Sequence, residues 1–141
     1  MNIIQIDFDD IPKDEQYIEM INKLISDNDT LEEYEVYLNS CELLGLYDGE
    51  TFVGFMSVDR RDFLPEIHAH VLPNMRKHSM SVLKAFLSQW TGPFTTSVLG
   101  NSKYVVRYLK TYGGFKDFGM NKDAFLKDGK LYNVYYLYKR I

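Results

Sequence analysis

Apolar and polar residues follow two different periods along this chain of 141 residues. Alternating or short continuous apolar runs predict strands over residues 2–8, 41–47, 51–59, 66–71 and 94–99. Apolar residues at helical spacing predict helices over about 12–26, 30–38, 81–90 and 101–112. Helices between strands, followed by a terminal hairpin over 115–141, predict an α/β (α+β) fold in a single domain spanning residues 1–141.

Local signals define several ends of these elements. Thr30, with Glu33 three residues later, is a capping box that predicts the start of the second helix. Asp48-Gly49 and Asp128-Gly129 each lie between two strand-like runs, where they predict tight hairpin turns. We therefore expect a mixed central sheet of about six or seven strands flanked by about four helices.

Composition and charge exclude several classes of protein. The net charge of −4 argues against nucleic acid as a partner, because phosphate binding needs a basic surface. No apolar run approaches the roughly 20 residues that span a bilayer, and the N-terminus lacks the features of a signal peptide. The single cysteine, Cys41, allows no internal disulfide. These features predict a cytoplasmic protein without a membrane partner.

The stretch from Glu66 to Trp90 reads EIHAHVLPNMRKHSMSVLKAFLSQW and organises the rest of the chain. Its first part alternates as a strand until Pro73 breaks it, and the basic turn 76–78 follows. A helical stripe then begins near Ser81. A strand, a basic loop and a helix N-terminus together favour an anion-binding site, because the first helical turn offers unpaired N–H groups.

Two histidines, His68 and His70, share one face of this predicted strand with Glu66. Either histidine could relay a proton near neutral pH. A His-x-His pair on a strand also suits zinc, yet no third ligand is clear in the sequence. Polar packing at the sheet surface is a third interpretation. We expect no metal.

The pattern Val71-x-Pro73-x-x-Arg76-x-x-Ser79-x-Ser81 resembles the acyl-CoA signature of the GNAT N-acyltransferases. In that family an Arg/Gln-x-x-Gly-x-Gly/Ala loop holds the pyrophosphate of coenzyme A, and both glycines are serines here. A second block, from Asn101 to Gly114-Phe115, resembles the C-terminal motif of the family. The resemblance covers roughly residues 40–138 and is strongest to short GNAT-like proteins encoded by bacteriophages. It implies a GNAT-like fold.

The resemblance also implies acetyl-CoA as co-substrate and a set of residues that bind it. The backbone N–H of Leu72 would point at the acyl carbonyl, and the basic loop with the following helix start would hold the pyrophosphate. Asn101 would contact the cofactor, although capping of its helix explains it equally well. The cofactor-binding residues implied in this way are Val71, Leu72, Arg76, Lys77, His78, Ser79, Met80, Ser81 and Asn101.

Three catalytic candidates follow from the same resemblance. Glu66 would act as the general base, directly or through water, and His68 would relay protons. The alternative for Glu66 is a strand end at the solvent edge. Tyr108 would protonate the leaving thiolate, whereas counting back from Gly114 selects Lys110 instead. Tyr108 also belongs to an i, i+4, i+8 stripe with Tyr104 and Tyr112, and such a stripe more often packs in a core.

The sequence therefore leaves two functions open. The first is acetyl transfer from acetyl-CoA to an unidentified amine, and the acidic balance favours a basic acceptor. The second is a non-catalytic GNAT-fold protein of a phage, acting in virion assembly or in contact with the host. A homodimer or a structural partner in the phage particle belongs to the expected partners.

Overall fold

The computed structural model describes residues 1–140, which form seven strands and four α-helices. The strands are β1 Asn2–Ile6, β2 Glu42–Asp48, β3 Thr51–Asp59, β4 Glu66–Val71, β5 Phe94–Leu99, β6 Lys116–Lys127 and β7 Lys130–Lys139. The helices are α1 Glu15–Asn22, α2 Leu31–Ser40, α3 Ser79–Gln89 and α4 Tyr104–Gly113. Short 3-10 turns occupy Phe8–Asp10, Pro73–His78 and Gly100–Ser102.

All seven strands lie in one sheet in the order β1-β2-β3-β4-β5-β7-β6. Neighbouring strands are antiparallel except β4 and β5, which run parallel. A mixed sheet with intervening helices and a closing hairpin is the fold class that the sequence predicts, and the structure confirms it.

The helices cover both faces of the sheet and create two cores. Helices α3 and α4 pack over one face, where the buried side chains include Met56, Ile67, Val82, Phe86 and Phe94. Helices α1 and α2 pack over the opposite face, and the buried side chains there include Tyr17, Ile21, Leu38, Phe55 and Leu72. Because successive residues of a strand point to opposite faces, β4 places Ile67 in the first core and packs His70 against Phe55 of the second.

Helix α1 is shorter than the stretch 12–26 that the apolar spacing predicts. The carboxylate of Asp14 accepts hydrogen bonds from the N–H groups of Gln16 and Tyr17, at 3.1 and 3.2 Å, so the helix begins after Asp14. Thr30 caps α2 as predicted, because its hydroxyl accepts from the N–H of Glu33 at 3.2 Å. Both caps satisfy N–H groups that the first helical turn leaves without partners.

The turn between β6 and β7 is hydrogen bonded to the loop between α1 and α2. The carboxylate of Asp27 accepts from the N–H groups of Asp128 and Gly129, at 2.9 and 2.8 Å. The Lys127 ammonium group donates to the carbonyl of Ile25 at 2.7 Å. We call these contacts the clasp. The clasp joins the C-terminal hairpin to the helical layer that covers β4.

Candidate active site

The parallel strands β4 and β5 separate from each other soon after they begin. The structure pairs them only at Glu66 and Thr95, where the Thr95 N–H donates to the carbonyl of Pro65 at 2.9 Å. Ala69 is consequently exposed although it lies on the middle strand of the sheet. A cavity of about 870 Å³ occupies the opening between the two strands.

The residues that line the cavity come from both faces of the sheet. Most of its lining comes from the α3/α4 face, for example Ile67 and Val71 of β4 and Val98 of β5. His68 and Ser97 also line it, and their positions in the strand alternation place them on the α1/α2 face. A ligand bound from the α3/α4 side can therefore meet a second molecule that approaches from the α1/α2 side.

Charge in the cavity is of one sign. Arg76 and Lys77 line it, and none of the described lining residues is an aspartate or a glutamate. The chain as a whole carries a net charge of −4, so this local excess of positive charge runs against the overall balance. The cavity is suited to an anionic ligand whose charge lies near the start of α3.

The strand alternation corrects the role of Leu72. Its N–H donates to the carbonyl of Val53 at 3.0 Å, and its side chain is buried under α1, so it is not available to an acyl carbonyl. In an antiparallel ladder every second N–H faces the same neighbour. The N–H groups of Ala69 and Val71 therefore face β5, which has moved away, and they are the donors that point into the opening.

The predicted basic loop is a helical turn rather than an open loop. Residues 73–78 form a 3-10 turn that continues into α3, and the Ser79 N–H donates to the carbonyl of Arg76. Ser79 has φ −56° and ψ −42°, so no left-handed residue is needed where the family has glycine. The Asn74 N–H donates to the Gln16 side chain at 2.9 Å, which anchors the turn to α1.

His68 and Glu66 form a hydrogen-bonded pair at the wall of the opening. The Nε2 atom of His68 lies 3.0 Å from Oε2 of Glu66, and both side chains are partly exposed. With Glu66 as the acceptor, a neutral His68 ring donates from Nε2 and has Nδ1 as an acceptor. His68 lines the cavity, whereas Glu66 contacts it only through this histidine.

The other two histidines have structural partners elsewhere. His70 is buried, with Nε2 3.2 Å from the Ser57 hydroxyl, and burial and the charge of His68 lower its pKa to about 3. His78 faces Asp48 at the β2–β3 turn, 3.8 Å away, and does not line the cavity. Within residues 1–140, no three His, Cys, Asp or Glu side chains are grouped closely enough to hold a metal ion.

Helix α4 presents a tyrosine face to the cavity. Tyr104, Tyr108 and Tyr112 all line it, so this stripe lies at the cavity wall and is not buried in a core. The Tyr108 hydroxyl lies 3.8 Å from the sulfur of Met80, and burial raises its pKa, which keeps the phenol protonated. Lys110 points away and pairs with Asp117 of β6 at 2.6 Å.

Asn101 lies in the 3-10 turn before α4 and is exposed. Its side chain forms no cap on α4, which starts after Lys103 without a side-chain hydrogen bond, so the capping interpretation is wrong. Asn101 does not line the cavity either. The left-handed Gly114, with φ +69°, ends α4 as the Gly-Phe signal predicts.

The cavity brings together part of the predicted set. Of the residues named from the sequence, it is lined by His68, Val71, Arg76, Lys77, Ser79, Met80 and Tyr108. It is not lined by Glu66, Leu72, His78, Ser81 or Asn101. The sequence reasoning missed Ala69, Thr96 and Ser97, which face the opening from β4 and β5. The alternation of residues along β4 and β5 can be read from the sequence, but the separation of the two strands cannot.

Among the described residues, no helix has the length and apolar character needed to cross a bilayer. No protein-family model matches the sequence, and no curated protein matches it. Comparison with solved structures, by contrast, gives matches along nearly the whole chain.

Three of these structures are acetyltransferases. A ribosomal-protein-alanine N-acetyltransferase from Brucella melitensis has a TM-score of 0.66 and 14% identity, with 100% of both chains covered. An acetyltransferase of the GNAT family from Streptococcus pneumoniae has a TM-score of 0.65 and 16% identity, with 99% of both chains covered. A spermidine N-acetyltransferase chimera from Vibrio cholerae and hSSAT has a TM-score of 0.69 and 11% identity, covering 99% of this chain and 96% of that chain. The chain therefore has the fold of the GNAT N-acetyltransferases.

Proposed function

We propose that this chain transfers an acyl group, acetyl in the simplest case, from acyl-CoA to an amine in the opening between β4 and β5. The observation that carries the proposal is the cavity between β4 and β5, which Arg76, Lys77 and His68 all line. The matched structures support it, because those described above are N-acetyltransferases. GNAT acetyltransferases use acetyl-CoA as co-substrate.

The cavity residues fit coenzyme A in charge and in hydrogen-bond donors. Arg76 and Lys77 lie beside the start of α3, where phosphate oxygens would be attracted by two cations and the helix dipole. The free N–H groups of Val71 and Ala69 continue along β4 like the edge of an unpaired strand. They would hold the amide-bearing arm of the cofactor and the carbonyl of its thioester.

The proton transfers are assigned from the hydrogen bonds. Nδ1 of His68 would take a proton from the acceptor ammonium, while Glu66 fixes the ring and stabilises its positive charge. The freed amine then attacks the thioester carbonyl and forms a C–N bond. As the tetrahedral intermediate collapses, the C–S bond breaks and the nitrogen releases its second proton to water. The Ala69 N–H would stabilise the developing oxyanion. The protonated Tyr108 would donate its proton to the leaving thiolate.

This assignment differs from the sequence-based expectation, in which Glu66 was the base and His68 relayed protons. His68 is the base that contacts the substrate, and Glu66 is the positioning residue that acts through it. Replacement of His68 by Gln should lower the transfer rate by about 10²–10⁴-fold and leave CoA affinity intact. Glu66→Gln should lower the rate less and shift the pH profile of the rate, because the charge beside His68 is removed.

The assay follows release of free CoA thiol from acetyl-CoA with lysine peptides, polyamines and aminoglycosides as acceptors. Slow hydrolysis of acetyl-CoA provides a second readout, since water can replace an acceptor that is missing from the panel. If CoA binds but both activities are the same in wild type and His68→Gln, His68 is not the base. The catalytic proposal would then be abandoned.

A non-catalytic role is the second candidate, and one observation favours it. The Ser79 N–H is already bonded to the Arg76 carbonyl, so the turn has fewer free donors for a phosphate. Absence of CoA binding would select this candidate. A phage origin, a place in virion assembly and a homodimer stay predictions, as do the cytoplasmic location and the basic acceptor.

A further inference from the structure

The inner end of the cavity is apolar. It lies where β4 and β5 are still paired, and its lining side chains also belong to the buried core beneath α3 and α4. Phe94 and Phe115 meet edge to face there, with ring centroids 5.6 Å apart, and Phe86 packs on Phe94 at 5.5 Å. We call this region the inner lobe, lined by Met56, Ile67, Phe86, Phe94 and Phe115.

The order of groups along β4 indicates what would occupy the inner lobe. The cations that attract phosphate follow the strand, and the Ala69 N–H lies midway along it. Ile67 is two residues further in, a distance of about 6.6 Å. A thioester carbonyl held by the Ala69 N–H would therefore direct its acyl chain past Ile67 towards the aromatic side chains. An acetyl group would place only a methyl group there.

We propose that the preferred donor carries an aliphatic acyl chain longer than acetyl, with its tail in the inner lobe. The proposal rests on the proposed function, because it assumes that CoA occupies the cavity. The same transfer takes place, with the C–S bond broken and a C–N bond formed. Each buried methylene should tighten binding by about fourfold at most.

The test measures dissociation constants by calorimetry for CoA, acetyl-CoA, butyryl-CoA, hexanoyl-CoA and octanoyl-CoA with the wild-type protein. Affinity should rise with chain length, by about tenfold from acetyl to butyryl. Equal or falling affinity along the series, with CoA itself bound, would overturn the inner-lobe proposal alone. If neither CoA nor any acyl-CoA binds, the proposed function fails and this proposal fails with it.

A variant that fills the inner lobe gives an independent readout. Thr96 is 8% exposed and lies between Phe94 and Val98 on the same face of β5, where it lines the cavity. Thr96→Phe should remove the gain from longer chains, so that hexanoyl-CoA binds no more tightly than acetyl-CoA. Thr51→Phe, at an exposed strand position outside the cavity, is the matched control and should keep the wild-type series. An unchanged series in Thr96→Phe would contradict the placement of the acyl chain.

Discussion

A buried histidine on β4 should make the stability of the fold depend on pH. His70 is 4% exposed and its ring stacks on Phe55 with centroids 4.6 Å apart. Its Nε2 atom lies 3.2 Å from the Ser57 hydroxyl. Burial, with a smaller contribution from the charge of His68, lowers the pKa of His70 to about 3. The native protein therefore keeps His70 neutral at every pH at which it is commonly handled.

The size of the effect follows from linkage between protonation and folding. An unfolded histidine has a pKa of about 6.5, well above the folded value. As the pH falls below about 6.5, His70 is protonated in the unfolded chain but stays neutral in the folded protein, so the free energy of unfolding decreases. Each pH unit below about 6.5 lowers the free energy of unfolding by about 1.36 kcal/mol, so this free energy should be about 2 kcal/mol lower at pH 5.

Urea unfolding of wild type and His70→Gln at pH 7.5, 6 and 5 measures the effect. Glutamine can still hydrogen bond to Ser57 but carries no charge, so the variant should lose about 2 kcal/mol less than wild type between pH 7.5 and 5. His78→Gln, at a partly exposed histidine, should keep the wild-type slope. Equal losses in wild type and His70→Gln would refute the reasoning, because the titration of His70 would then contribute nothing.

Two further predictions concern the backbone. Gly54→Ala would place a Cβ 2.1 Å from the carbonyl oxygen of His70, so it should lower the free energy of unfolding by about 3 kcal/mol and weaken ligand binding. Gly119→Ala has nearly the same φ and open space around the new Cβ, so it should lower the free energy of unfolding much less. Urea unfolding compares the two variants. Asp27→Ala should open the clasp and accelerate amide exchange at residues 128 and 129, while Asp29→Ala, at an exposed neighbour, should leave that exchange slow. The backbone N–H groups lower the pKa of Asp27, so protection at the clasp should persist to unusually low pH in wild type.

The elements of the fold were largely predictable because local signals agreed with the tertiary packing. Strands β4 and β5 have the bounds that alternation predicts, and the Thr30 cap starts α2 as expected. Helix α1 was predicted too long because Pro12 suits a first helical turn and because the apolar spacing continues to Leu24 and Ile25, beyond the end at Asn22. The turn 73–78 was missed, since Pro73 suits the first position of a helical turn as well as a strand break.

The candidate site was only partly predictable because it depends on how two strands diverge. Alternation alone does not reveal that β4 and β5 separate after one pair, so Ala69 and Ser97 gave no signal in the sequence. The error over Leu72 has the same origin. Its position just past the strand suggested a free N–H, but the ladder with β3 continues one residue further and uses it.

The central claim is that the cavity between β4 and β5 binds coenzyme A, and calorimetry tests it most directly. CoA titrated into the wild-type protein should bind with one site per chain, and Arg76→Ala should weaken this binding most strongly at low salt. Arg60→Ala, at an exposed arginine that pairs with Glu42 outside the cavity, is the matched control and should bind CoA like wild type. Absence of binding to wild type at millimolar CoA, or equal binding by Arg76→Ala at low salt, would contradict the account.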